Sequence, residues 1–187
     1  FGNNPKLCKR GVYEAIGAGL ELKRGDLALR TNFGTIDNLK SRKVIDRRAG
    51  RTLTTKEAQQ LTETLNKKIK ISSKFNFKST VQHRGALILR GGFSDNISNI
   101  DNEWSAKKSS TFKFSEPLDN DELSKHTSNT LNDSVTQAFK ILNNHPINLA
   151  RKKKGLLPAN MIFTRGPGIE LPKIKQYRSW MATASRP

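Results

Sequence analysis

The run Arg84-Gly85-Ala86-Leu87-Ile88-Leu89-Arg90-Gly91-Gly92 constrains the fold of this chain more than any other segment. Ala86, Leu87, Ile88 and Leu89 are consecutive and apolar, so a strand through them points apolar side chains to both faces of its sheet. Such a sheet needs cover on both sides. Gly91-Gly92 ends the strand, and the alternating segment that begins at Phe75-x-Phe77 leads into it through Val81. Residues 26–36 (DLALRTNFGTI) are a second strand candidate, with Leu27, Leu29 and Thr31 on one side. A short strand over 43–46 runs into Arg47-Arg48-Ala49-Gly50-Arg51, and a last one over 159–164 stops at Arg165-Gly166-Pro167-Gly168.

Helices supply the cover. Thr54-x-x-Glu57 is a capping box, in which hydroxyl and carboxylate satisfy orphan amides reciprocally. Behind it Ala58, Leu61, Leu65 and Ile69 fall at helical spacing, which predicts a helix over 55–69. Leu131, Val135, Ala138, Phe139 and Leu142 form the stripe of a longer helix, which Pro146 interrupts. Gly155 follows a basic last turn, 151–154, whose cations suit the dipole. A short helix over 12–20, opened by Arg10-Gly11, is broken by Gly17 and Gly19. Residues 93–120 have no period and are expected to form a long loop, functional or mobile. No internal repeat occurs. The expected class is α+β (mixed α/β), one domain with a mixed sheet of about four strands and flanking helices.

Charge narrows the partners. The 187 residues carry 34 Lys+Arg against 16 Asp+Glu, a net +18, which suits phosphorylated or polyanionic partners. The excess is ordered rather than tail-like: residues 1–92 hold 20 basic and 7 acidic side chains, within segments that also carry apolar periodicity. The single cysteine, Cys8, excludes an internal disulfide framework and a cysteine-built zinc site, and a reducing compartment is the simpler setting. No apolar run approaches the ~20 residues of a membrane span, and Phe1 opens no signal peptide.

Arginine recurs where a strand meets a Gly-containing turn: Arg47, Arg48 and Arg51 around Gly50, Arg84 before Gly85, Arg90 before Gly91, Arg165 before Gly166. Glycine lets a ligand approach the backbone, and the guanidinium fork matches phosphate and carboxylate oxygens two at a time. Any one of these arginines read alone is a solvated side chain, or a partner of Asp26, Asp37 or Asp46. As a set, arginine instead of lysine favours an anion clamp. His83, beside Arg84, is either a titrating phosphate donor or a hydrogen-bonded strand histidine, whereas His126 and His145 read as structural. Asp95 and Asp101 in FSDNISNID have the composition of a calcium loop but not the EF-hand spacing, which favours a turn-rich substrate loop. No Walker motif, nucleophile elbow, HExxH or paired-Cys spacing occurs. On these residues the chain is a binding domain.

The turns themselves resemble a family. Residues 9–22 (KRGVYEAIGAGLEL) followed by Gly25-Asp26-Leu27-Ala28-Leu29-Arg30-Thr31-Asn32-Phe33 resemble the archaeal-type 2,3-bisphosphoglycerate-independent phosphoglycerate mutases, of the alkaline phosphatase superfamily. Later blocks follow in the family order: Asp46-Arg47-Arg48-Ala49-Gly50-Arg51, then His83-Arg84-Gly85 through Leu89-Arg90-Gly91, then Ser94-Asp95-Asn96 with Asp101, then 157–160 with Thr164-Arg165-Gly166. Gly34 and Asn102-Glu103 depart from the family, which usually has Ala and tends to have Pro-His there.

The resemblance implies an enzyme, an isomerase that interconverts 3-phosphoglycerate and 2-phosphoglycerate through a phosphoenzyme. Its core holds two divalent metals, manganese or magnesium, and a transiently phosphorylated Ser or Thr. The present chain is similar to the domain inserted into that core. Residues 9–178 correspond to the substrate-holding insert, and 1–8 and 179–187 to margins that join the core. The segment itself is then expected to hold no catalytic residue and no metal, and to be inactive alone. The implied substrate-binding residues are Arg47, Arg48, Arg51, His83, Arg84, Asp95 and Arg165, with Arg30 and Asn32. The implied partners are the two phosphoglycerates and the catalytic core, with no membrane, in the cytoplasm. The rival is a basic nucleic-acid-binding module, argued from +18 alone; aromatics of only 7% and the absence of a stacking motif speak against it.

Overall fold

The computed structural model describes residues 9–101 and 111–170. The expected margins, residues 171–178, Cys8 and Asn102-Glu103 lie outside them. In chain order the elements are α1 (Arg10–Gly17), β1 (Leu27–Ile36), β2 (Val44–Asp46), a 3-10 turn (Ala49–Arg51), α2 (Thr55–Lys68), β3 (Phe75–Ser79), β4 (Arg84–Leu89), α3 (Glu122–Asn143), α4 (Pro146–Lys153) and β5 (Met161–Gly168).

The α+β class holds. Among the described residues the sheet has five strands, and all their pairings are antiparallel rather than mixed. β1 is the hub, paired with β4 along Leu27–Asn32, with β5 along Ala28–Gly34 and with β2 at Thr35 and Ile36. β3 lies outside β4. The reason is connection length, because only four residues, Thr80 to His83, join β3 to β4, and a turn that short reverses the chain. β1 is buried along its whole length.

The pleat sorts β1 into two faces. Leu27, Leu29 and Phe33 join Leu87, Leu89, Phe75 and Phe77 in the main core, closed by Leu61 and Leu65 of α2 and by Leu131, Val135 and Ala138 of α3. On the other face Ala28, with Ala86 and Ile88, is covered by Val12, Ala15 and Ala18 of α1. An eight-residue helix spans only about 12 Å, so α1 covers one end of that face. The next residues along it on β1 are Arg30 and Asn32.

Local signals explain the elements. The capping box at Thr54 and Glu57 is present, with Glu57 N–H donating to Thr54 Oγ1 and Thr54 N–H to Glu57 Oε2. α1 starts at Arg10 and stops in a Schellman pattern, with Leu20 N–H donating to Ala15 O and Gly19 N–H to Ile16 O around Gly19 at φ 71°. His145 caps α4, its Nδ1 accepting from Ile147 N–H, and its Nε2 lies 3.1 Å from Thr64 Oγ1. This is the structural role expected of His145. Within 93–120 the described residues form no helix or strand beyond two bridges, Lys43–Thr111 and Ile97–Pro117. They are nonetheless fastened, since Phe93, Ile97, Ile100 and Phe112 enter the main core and Ser94 bonds α3 through Thr127 and Ser124.

One basic residue departs from the expected solvated turn. Lys152, Lys153 and Lys154 are exposed, but Arg151 is fully buried. Its guanidinium donates to Thr52 Oγ1 (2.7 Å), Leu157 O (3.0 Å), Thr52 O (3.2 Å) and the Glu57 carboxylate (3.2 Å). Burial opposes ionisation of Glu57, but hydrogen bonds from Thr54 and Arg151 outweigh it and hold this carboxyl below its ordinary range.

Close packing of α1 depends on Gly11. A Cβ there would come within 2.3 Å of Ala28 O and 2.5 Å of Gly166 O, whereas one at Gly17 would meet nothing within 4 Å. Gly11→Ala is therefore expected to cost about 1–3 kcal/mol through overpacking, while Gly17→Ala leaves stability unchanged or raises it by up to ~1 kcal/mol. Urea unfolding of the two variants checks this; equal effects would mean that α1 does not seat on Gly11.

Candidate functional site

The candidate site is the stretch of the sheet's second face that α1 leaves uncovered. Register builds it. Arg30 of β1 faces Arg165 of β5, and Asn32 of β1 faces Arg84 of β4. Directly paired residues share a face, and so do positions two apart on one strand. Arg30, Asn32, Arg84 and Arg165 thus stand together. α1 adds Arg10 and Glu14, one helical turn apart and on the same side of the helix. A groove of about 370 Å³ runs between α1 and the β3–β4 turn, walled by Arg10, Tyr13 and Glu14 on one side and by Thr80, Val81 and Arg84 on the other.

Positive charge here exceeds the available counter-charge. Arg30 is only 6% exposed, and its Nε lies 3.2 Å from Glu14 Oε1. Even so, its Nε and one terminal nitrogen make no well-formed hydrogen bond. Burial weakens the hold of Arg30 on its proton first, and the nearby Arg165, Arg10 and Arg84 weaken it further, while Glu14 opposes them. Arg10 and Arg84 form no ion pair among the described residues. Leaving a buried donor unsatisfied costs about 1–3 kcal/mol, so the unpartnered nitrogens of Arg30 destabilise the free fold, whereas Arg10 and Arg84 are exposed.

A second cluster adjoins the first through Arg84. His83, in the turn before β4, is 8% exposed and its Nδ1 has no partner. Burial lowers its pKa from the ordinary value, and Arg48, Arg84 and Arg51 lower it further against Asp46. Asp46 is committed to backbone, accepting from Arg48 N–H (2.7 Å) and Gly50 N–H (2.9 Å), which frees the side chains of Arg48 and Arg51. That turn has left-handed backbone at Ala49 (φ 48°), Gly50 (68°) and Arg51 (56°). Arg47 bonds Asp101, whose other oxygen is 3.7 Å from Arg165.

The structure therefore brings together Arg47, Arg48, Arg51, His83, Arg84, Arg165, Arg30 and Asn32. Asp95 differs, since it pairs with Lys9 at 3.3 Å. Arg90 also leaves the set, being bonded to Asp26 and to Glu21 O as a staple beside β4. Sequence reasoning missed Glu14 and Arg10 as site residues, and Asp101 as a counter-ion. Arg10 carried a usable signal, an arginine before glycine like the others.

No nucleophile with its base is assembled on this face among the described residues. Among the described residues no group of three or more His, Cys, Asp or Glu could hold a metal ion, and no helix is long and apolar enough to cross a membrane. The arrangement can bind and orient a multi-oxygen anion.

Residues 1–148 match the family described as 2,3-bisphosphoglycerate-independent phosphoglycerate mutase. The chain is 44% identical over 180 residues to the 2,3-bisphosphoglycerate-independent phosphoglycerate mutase 1 of Methanocaldococcus jannaschii, covering 95% of this chain and 42% of that protein. It is 42% identical over 191 residues to the mutase of Sulfurisphaera tokodaii, covering 98% and 45%. Among solved structures, a cofactor-independent phosphoglycerate mutase from Thermoplasma acidophilum superposes with a TM-score of 0.76 at 32% identity, over 95% of this chain and 46% of that one. The chain spans less than half the length of the curated relatives it matches.

The lowered pKa values of His83 and His145 have a thermodynamic sign. As pH falls below about 6.5, an unfolded histidine takes up a proton that the native one still refuses. The unfolded state then binds more protons, and stability falls. Urea titrations from about pH 7.5 to about pH 5.5 should show this loss, and His83→Gln should flatten it. An unchanged slope in the variant would place the titration elsewhere.

Proposed function

This chain belongs to the 2,3-bisphosphoglycerate-independent phosphoglycerate mutase family, and on that premise we propose that its arginine-lined sheet face holds phosphoglycerate within a larger mutase, an isomerase of 3- and 2-phosphoglycerate. The single observation that carries the reading is the surplus of guanidinium around the buried Arg30, with N–H groups of Arg30 and of the half-buried Arg165 left unsatisfied. Both charged ends of a phosphoglycerate are multi-oxygen anions, which guanidinium forks grip two oxygens at a time.

The two divalent metals that the family resemblance implies do not fit the described residues, which offer no metal cluster. They and the phosphorylated nucleophile belong to the remainder of the enzyme. What this segment contributes is retention. While the phosphoryl group resides on the nucleophile, glycerate must stay and turn, and water must stay out; otherwise the phosphoenzyme hydrolyses. Arg30, Arg84 and Arg165 lie where the β strands hold them rigid. Arg48, Arg51 and the neutral His83 stand on the turns beside them and supply donors as the ligand turns.

Two outcomes are expected in the full-length protein. His83→Ala should lower mutase activity about tenfold to a hundredfold, since a hydrogen bond to a charged group contributes about 1.5–3 kcal/mol. Phosphatase activity, read as free phosphate from 3-phosphoglycerate, should hold or rise. A parallel fall in both would assign His83 to folding or to phosphoryl transfer. Arg48→Lys should impair turnover far more than Lys153→Ala on the exposed end of α4, because lysine keeps the charge but loses the fork; equal effects would mean that net charge alone matters.

A further inference from the structure

We propose that Asp101 is a positioning residue for the arginine site, a buried carboxylate that fixes the forks of Arg47 and Arg165 so that their free edges face one anion. The inference rests on the binding role proposed above for this face. Asp101 is 2% exposed, and its backbone is pinned to β5, where both Ile100 N–H and Asp101 N–H donate to Thr164 O at 3.0 Å. Both Nε and a terminal nitrogen of Arg47 donate to the same carboxylate oxygen, Oδ1, with Nε at 2.8 Å. Oδ2 faces Arg165 Nη1 at 3.7 Å, too far for a hydrogen bond, and is otherwise unpartnered, as is Arg165 Nε.

The two arginines reach Asp101 from distant places in the chain, Arg47 from just after β2 and Arg165 from within β5. Their side chains remain 33% and 25% exposed while the carboxylate between them is closed off. The Arg47 fork is anchored through Nε and one terminal nitrogen, and Arg165 is held beside the same carboxylate by charge alone. This is the geometry of a pre-organised receptor, in which rotamer freedom is lost on folding and not on binding. The loose second contact leaves Arg165 with hydrogen-bonding capacity for a ligand oxygen.

A carboxylate among cations could instead serve only as counter-charge, and the two roles have opposite signs. Removing a mere counter-charge raises the positive potential and tightens anion binding. Removing a positioning group frees the forks and weakens it. The test uses the full-length protein with Asp101→Asn and Asp101→Glu, and inorganic phosphate and 3-phosphoglycerate as probes in calorimetry. Nitrogen–proton spectra of the arginine Nε–H groups without ligand form a second arm. Asp101→Asn should bind both probes about tenfold more weakly or worse, with Asp101→Glu recovering most of the affinity. Arg47 should give a slowly exchanging Nε–H in the wild type and in Asp101→Glu, absent in Asp101→Asn.

Equal or tighter binding by Asp101→Asn overturns the proposal. So does a wild-type Arg47 Nε–H that exchanges as fast as an exposed arginine's, and this arm decides if Asp101→Asn does not fold or if neither probe binds. Wild-type binding of phosphate without phosphoglycerate would count against the proposed function alone, while the phosphate series still judges Asp101.

Discussion

The guanidinium of Arg151 ties together segments that the chain keeps about a hundred residues apart. It is enclosed between α4 and the 49–52 turn, and it bonds Thr52, Glu57, Leu157 and, at 3.4 Å, Ala49 O. That turn holds two non-glycine residues, Ala49 and Arg51, in left-handed backbone, a conformation costing about 1–2 kcal/mol each. The bonds from Arg151 to Ala49 and Thr52, with those of Asp46 to Arg48 and Gly50, offset this cost. They also set the direction in which Arg47, Arg48 and Arg51 leave the backbone. One buried cation, fully occupied by acceptors, thus orients three others that are not.

The same asymmetry runs through the sheet. Where α1 covers the second face, the side chains are Ala28, Ala86 and Ile88, small enough for the helix to approach through Gly11. Two residues further along β1 the face changes to Arg30 and Asn32, with Arg165 and Arg84 opposite. Antiparallel pairing confines the change to two adjacent levels, since Arg30 pairs with Arg165 on β5 but with Ala86 on β4, and Arg84 enters one level on, opposite Asn32. Arg30 is buried at the boundary with incomplete hydrogen bonding. Such a fold surrenders stability locally, and under the proposed function an anion bound here would restore it, by the linkage of a ligand to the native state.

Much of the architecture was legible because it rests on local signals. The capping box at Thr54 and Glu57 needs only four residues to declare itself, and Ala86 to Leu89 could only be a strand covered twice. The arginine–glycine turns were legible as a set for a chemical reason, since few other roles demand a fork beside a flexible backbone. What escaped was tertiary. Arg151 sat in a run of three lysines and read as solvated, because nothing local says that Thr52, Glu57 and Leu157 converge on it. Arg90 and Asp95 carried the same sequence signals as their neighbours, yet one is a staple to Asp26 and the other a partner of Lys9. Asp101 suggested a loop by composition, whereas its burial beneath Arg47 and Arg165 depends on β5 arriving from more than sixty residues away. Sheet direction was missed because the four-residue turn before β4 was read as part of an alternating strand.

On the proposed function, phosphoglycerate binds the cationic face around Arg30, and not the positive charge spread over the helices. Titrating the full-length protein with 3-phosphoglycerate, while following the arginine Nε–H and lysine side-chain resonances, tests it most directly. The expected result is saturable change at Arg30, Arg84, Arg165 and the His83 ring, with Lys67, Lys68, Lys152, Lys153 and Lys154 unaffected at physiological salt. Diffuse, salt-screened changes across those lysines, with the arginine face silent, would contradict it.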